Sequence, residues 1–62
     1  MSRHLFKMLR RSIGLSQTKL AREMGVTLRT VSRWERGNFP IPRLAELALK
    51  AIFKEANEKS KN

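Results

Sequence analysis

Leu15-Ser16-Gln17-Thr18-Lys19-Leu20-Ala21-Arg22-Glu23-Met24-Gly25-Val26-Thr27-Leu28-Arg29-Thr30-Val31-Ser32-Arg33-Trp34-Glu35-Arg36-Gly37 carries the same local grammar twice. Ser16 reads as an N-cap, its hydroxyl placed to accept an orphan backbone N–H of the helix that follows. Leu15 before the cap and Leu20 inside the helix have the spacing of a hydrophobic staple. A helix is predicted over 17–24, with Leu20, Ala21 and Met24 inward, and Gly25 stops it. Then Thr27 caps, Val26 and Val31 form a second staple, a helix is predicted over 28–36, and Gly37 ends it. The result is a tight pair of helices joined by Gly25-Val26-Thr27. Gly25 suits the turn because it adopts φ > 0 without steric cost. Ala21 is small where the second helix must pass close to the first. Val26, Val31 and Trp34 are apolar where the pair must bury its inner side.

Working outward, the chain reads as all helix: no stretch alternates apolar and polar residues strictly, and β-branched residues are few. Ahead of the pair, a helix is predicted over about 3–12, with Leu5, Leu9 and Ile13 on one face and Phe6 beside them; Gly14 stops it. After the pair, Asn38-Phe39-Pro40-Ile41-Pro42 is a rigid connector, and Pro42 suits the first position of a fourth helix. That helix is predicted to run to about Glu55 or Glu58, with Leu44, Leu47, Ala48, Ala51 and Ile52 on its core side. Met8, Phe39, Leu49 and Phe53 are assigned to ordinary packing, and His4 to the surface. The expectation is a compact all-α domain of four helices over 1–56, a fifth helix being the alternative, and a polar, frayed tail over 57–62.

At 62 residues the chain makes one domain at most, and a domain of this size buries only about 60% of the surface its unfolded form exposes. It leaves no room for a cleft between lobes. Without cysteine neither a disulfide nor a thiolate metal site can form, and a lone His4 does not ligate a metal by itself; no cofactor is implied. No apolar run approaches the roughly 18 residues that cross a bilayer, and no signal-peptide core follows the start, so a cytoplasmic location is expected. No acid pair, nucleophile–base pair or phosphate-cradling glycine loop is present, so no enzyme is expected. The formal charge of +9 is uneven. Residues 1–43 hold ten Lys/Arg against two acids, Glu23 and Glu35. Residues 44–62 hold four lysines against three glutamates. Self-repulsion on this scale opposes folding of a small domain, and a polyanionic partner accounts for its being tolerated. Charge alone leaves DNA, RNA and an acidic membrane open.

The helix pair narrows the choice. Two short helices about a tight turn have the form of a helix-turn-helix, whose second helix enters the major groove of DNA. At 100° per residue, Leu28, Ser32, Arg36, Arg29 and Arg33 occupy one arc of about 140°. Thr30, Val31, Trp34 and Glu35 take the other side. The outer arc has three arginines and no acid, whereas an ordinary solvated face mixes signs. The arginine fork matches O6 and N7 of guanine, and Leu28 suits a thymine methyl; Leu28, Arg29 and Arg33 are the expected base readers. The first turns Gln17-Thr18-Lys19, Leu28-Arg29-Thr30 and Pro42-Arg43-Leu44 carry no acid, which leaves helix N-termini open to phosphate. Arg36 and Asn38 are further phosphate candidates, Arg43 suits phosphate or the minor groove, and Thr18, Thr27 and Ser32 complete the candidate set. Trp34, on the inner arc, is assigned to the core. Glu35 lies at the edge of that arc among cations, with Arg10 as its expected partner.

Residues 15–37 resemble the lambda-repressor-like, or xenobiotic response element, family. The shared pattern is Leu-Ser-Gln, Leu-Ala, Gly-Val-Thr, Val-Ser and Glu-Arg-Gly followed by a proline, and the resemblance covers about residues 3–52. It implies binding to a double-stranded, partly palindromic operator, usually as a dimer, in a small bacterial or phage repressor-like regulator. The family's base-reading positions fall on Leu28, Arg29 and Arg33, and the position that grips phosphate at the start of the first helix of the pair falls on Gln17. The resemblance also implies an Arg10–Glu35 pair. The family usually has five helices; this sequence is read as four, the last one longer. Homodimerisation is expected to be weak or DNA-assisted. The alternative is a protein-docking module on the same fold, which a less charged second helix would favour. RNA readers display aromatic stacking platforms, scarce here, and a membrane binder needs a free apolar face.

Overall fold

A computed structural model describes residues 1–59. Four helices follow one another: α1 (Arg3–Ser12), α2 (Gln17–Met24), α3 (Leu28–Arg36) and α4 (Arg43–Lys59). Of the tail expected over 57–62, residues 57–59 continue α4, and residues 60–62 lie outside the described residues.

The helix boundaries follow from side chains that satisfy orphan backbone groups. Ser2, Ser16 and Thr27 cap α1, α2 and α3 by accepting the N–H of Leu5, Lys19 and Thr30 at 3.1, 3.1 and 3.2 Å. At the close of α2, Gly25 has φ of 73°, and Val26 N–H reaches back to the Ala21 carbonyl at 2.9 Å. α3 closes likewise on Gly37, φ 80°, with Asn38 N–H on the Arg33 carbonyl at 3.2 Å. Arg3 adds a second closure there, its guanidinium donating to the Arg36 carbonyl at 2.8 Å; a cation at a helix C-terminus also opposes the dipole. Pro42 stands one position earlier than expected. α4 starts at Arg43, and the Pro42 carbonyl accepts the Glu46 N–H at 3.1 Å.

The core is Phe6, Leu20, Ala21, Val31, Trp34, Ala45 and Leu49, with Leu9, Leu15, Met24, Val26 and Ile52 packed against it. Phe6 and Trp34 meet edge to face, centroids 5.9 Å apart, a geometry that adds about 0.5–1.5 kcal/mol to plain burial. α1 therefore centres its inward face on Phe6, and Leu5, expected inward, is exposed. α4 is turned by about one residue, near 100°, from its expected orientation. Its inward stripe is Ala45, Leu49 and Ile52, while Leu44, Leu47 and Ala51 are exposed. Ala45 is buried, and Leu49, assigned above to ordinary packing, is a wholly buried member of the core. Met8 and Phe39 are not core residues at all; both are exposed.

Candidate nucleic-acid interface

Burying Val31 and Trp34 against Phe6 and Leu20 fixes the rotation of α3 about its axis. The opposite side must then face out. Arg29, Arg33 and Arg36 are exposed, Leu28 is 47% exposed and Ser32 is half-buried. These five residues and Asn38 line one shallow concave surface, to which Phe39 also contributes. The Arg33 guanidinium lies over the Phe39 ring, 5.3 Å from its centroid.

Glu35, the one acid of α3, is drawn inward. Its carboxylate accepts from Arg10 Nε at 2.6 Å and Arg10 Nη2 at 3.0 Å, and both side chains are nearly inaccessible, 9% and 3% exposed. Arg10 Nη1 donates in addition to the Leu15 carbonyl at 2.8 Å. The Gln17 amide donates to Glu35 Oε1 at 3.1 Å, a bond sequence reasoning missed because nothing in helical spacing links residues 17 and 35. One carboxylate thus ties α1, the start of α2 and the end of α3 together. No buried side-chain N or O among the described residues lacks a partner, so the network meets the condition under which a buried polar cluster is tolerated.

The remaining candidates, Gln17, Thr18, Thr27 and Arg43, do not line that surface. Gln17 is half-buried and partly committed to Glu35; Thr18 is exposed on the first turn of α2. The Thr27 hydroxyl is engaged in capping and in a 2.9 Å bond with the Thr30 hydroxyl. Arg43 is exposed on the first turn of α4. No acid lies in the first turns of α2 and α3. α4 differs from expectation, since its first turn includes Glu46, bound to Lys50 at 3.1 Å and to the Met1 ammonium at 3.3 Å. Those two cations, Lys50 first, hold the Glu46 carboxyl below its ordinary range. α4 therefore presents a less open N-terminus than α2 or α3. Phe39 was also missed: it sits in the connector, where helical periodicity gives no orientation.

No helix among the described residues is long and apolar enough to cross a membrane. A family model described as helix-turn-helix matches residues 6–52. No curated protein and no solved structure matches.

Proposed function

Because the chain belongs to the lambda-repressor-like helix-turn-helix family of DNA-binding regulators, we propose that it acts as a small repressor-like transcriptional regulator with α3 lying in the major groove of double-stranded DNA. Leu28, Arg29 and Arg33 meet base edges. Gln17, Thr18, Thr27, Ser32, Arg36, Asn38 and Arg43 face the sugar–phosphate backbone. Phosphate contacts supply affinity and register, and the arginine forks supply sequence preference. Occupying an operator requires no covalent chemistry.

One observation carries this reading: α3 turns three arginines and no carboxylate outward, because its single acid is consumed internally by Arg10. The acid-free starts of α2 and α3 support it, since their partial positive charge favours phosphate.

Pairing on a partly palindromic operator belongs to the same proposal. Leu44 is 81% and Leu47 47% exposed. They lie on α4, which holds four cations, Arg43, Lys50, Lys54 and Lys59, against three glutamates and is nearly neutral, so two copies repel least there. Binding is then weak between free copies and reinforced by DNA.

Selection of bound sites from random duplexes tests the proposal, and guanines are expected opposite Arg29 or Arg33. Affinity should also fall steeply between 50 and 200 mM salt, by about 10³-fold or more if some six phosphates are neutralised. No binding to any duplex at low salt would overturn it in favour of a protein-docking role.

A further inference from the structure

We propose that Phe39 is a positioning residue for sequence preference: its ring is a platform that fixes the Arg33 guanidinium at the angle from which it meets a base. The inference rests on the reading of Arg33 as a base contact.

Three features point to it. The guanidinium carbon stands 5.3 Å from the ring centroid, within the roughly 6 Å over which a cation is attracted by an aromatic face. Arg33 enters none of the ion pairs formed among the described residues. Phe39 is 51% exposed and is not a member of the buried core. An aromatic ring left half in water beside a free arginine gains little by burial, and its contact with Arg33 is what gives it a defined use.

The backbone holds the two partners in register. Asn38 N–H closes on the Arg33 carbonyl at 3.2 Å, so the connector leaves α3 bonded to the very residue whose side chain the ring meets. Pro40 follows Phe39, and the residue before a proline is confined to extended conformations. The ring is therefore carried on a stiff support. A free arginine loses rotamer freedom when it docks on a base; one already resting on a ring loses less. The benefit appears where Arg33 discriminates between bases and not at the phosphates.

The test is a double-mutant cycle, Phe39→Leu against Arg33→Ala. It is read on a panel of duplexes substituted one base pair at a time in the selected site, with thermal unfolding of each variant alongside. Phe39→Leu should weaken the preference at the base pair read by Arg33 about two- to fivefold, the size of an exposed cation–π contact. Binding to unrelated duplex should change less than this. In the Arg33→Ala background Phe39→Leu should have no further effect. Phe39→Trp, which keeps an aromatic face, should retain the preference.

Equal weakening on all duplexes, or the same loss of preference with Arg33 already removed, would make Phe39 a structural or backbone-contacting residue and overturn the proposal. If the unmodified protein discriminates and Phe39→Leu leaves every preference intact, the platform alone fails. If the unmodified protein shows no base preference, the reading of Arg33 fails with it.

Discussion

Glu35 accepts three side-chain hydrogen bonds, two from Arg10 and one from Gln17, in a nearly closed environment. Replacing such a pair by apolar groups is often neutral, whereas removing one partner strands a buried charge. Glu35→Ala is therefore expected to cost about 3–5 kcal/mol, read from urea or thermal unfolding. A chain of this length has only about 3–9 kcal/mol in all, so the variant should be largely unfolded at moderate temperature. Unfolding unchanged from the parent would refute the structural role. Arg33 makes the opposite prediction. It is exposed and its contact within the fold is with the Phe39 ring, so Arg33→Ala should cost unfolding no more than about 1 kcal/mol. On DNA it should cost about 1–3 kcal/mol and relax one base position, measured by binding to the duplex panel. A uniform loss across sequences would instead assign Arg33 to phosphate.

At the scale of elements, the glycine-closed ends of α2 and α3 set the angles at which the next segment departs. A Cβ built on Gly25 meets nothing within 4 Å, so the cost of Gly25→Ala is torsional, about 1–2 kcal/mol for an L-residue forced to positive φ. At Gly37 the same atom falls 2.8 Å from Arg3 Nη1. The arginine must shift there in addition to the torsional cost of a positive φ, so Gly37→Ala should destabilise at least as much, in the same unfolding assay. α4 has an electrostatic start of its own. The Glu46 carboxyl is held below its ordinary value chiefly by its bond to Lys50, then by the Met1 ammonium. A depressed folded value means that its stabilising contribution is present above the unfolded carboxylate range and is lost as pH falls through the folded value. Unfolding midpoints should therefore decline on acidification below about pH 4.5. Glu46→Gln should flatten that part of the decline, and an identical pH profile for both proteins would show that Glu46 does not drive it.

Over the whole molecule, charge and apolar exposure are segregated. The first 43 residues hold nearly all the net charge and the candidate interface, while the nearly neutral α4 exposes Leu44 and Leu47. If pairing uses that side, Leu44→Glu should leave folding nearly unchanged, because the side chain is already 81% exposed. It should reduce cooperative binding to a duplex with two half-sites about tenfold or less, a few tens of Å² of apolar contact being involved, with single-site binding unaffected. Sedimentation of the free protein should show mostly monomer at micromolar concentration. A tight dimer without DNA would contradict the weak, DNA-assisted pairing proposed above.

Caps, stops and the arc of α3 were legible in the linear chain because each depends on residues within one or two turns. Ser16, Thr27, Gly25 and Gly37 act on their own backbone neighbourhood, and the 100° step of a helix converts the order of Leu28 to Arg36 directly into two faces. That α3 is an amphipathic helix with a cationic side was decided there. What lay beyond the linear chain was every choice between near-equal faces and every contact made across the fold. α4 has two apolar stripes, and it is Leu49 and Ala45, not Leu44 and Leu47, that join Phe6 and Leu20 in the buried cluster. Gln17 finds Glu35, and Arg3 finds the end of α3, across 18 and 33 residues. Phe39 meets Arg33 from a connector that has no period to orient it. Local propensity has short reach, whereas burial is decided by which surfaces close on one another, and only the assembled helices settle that.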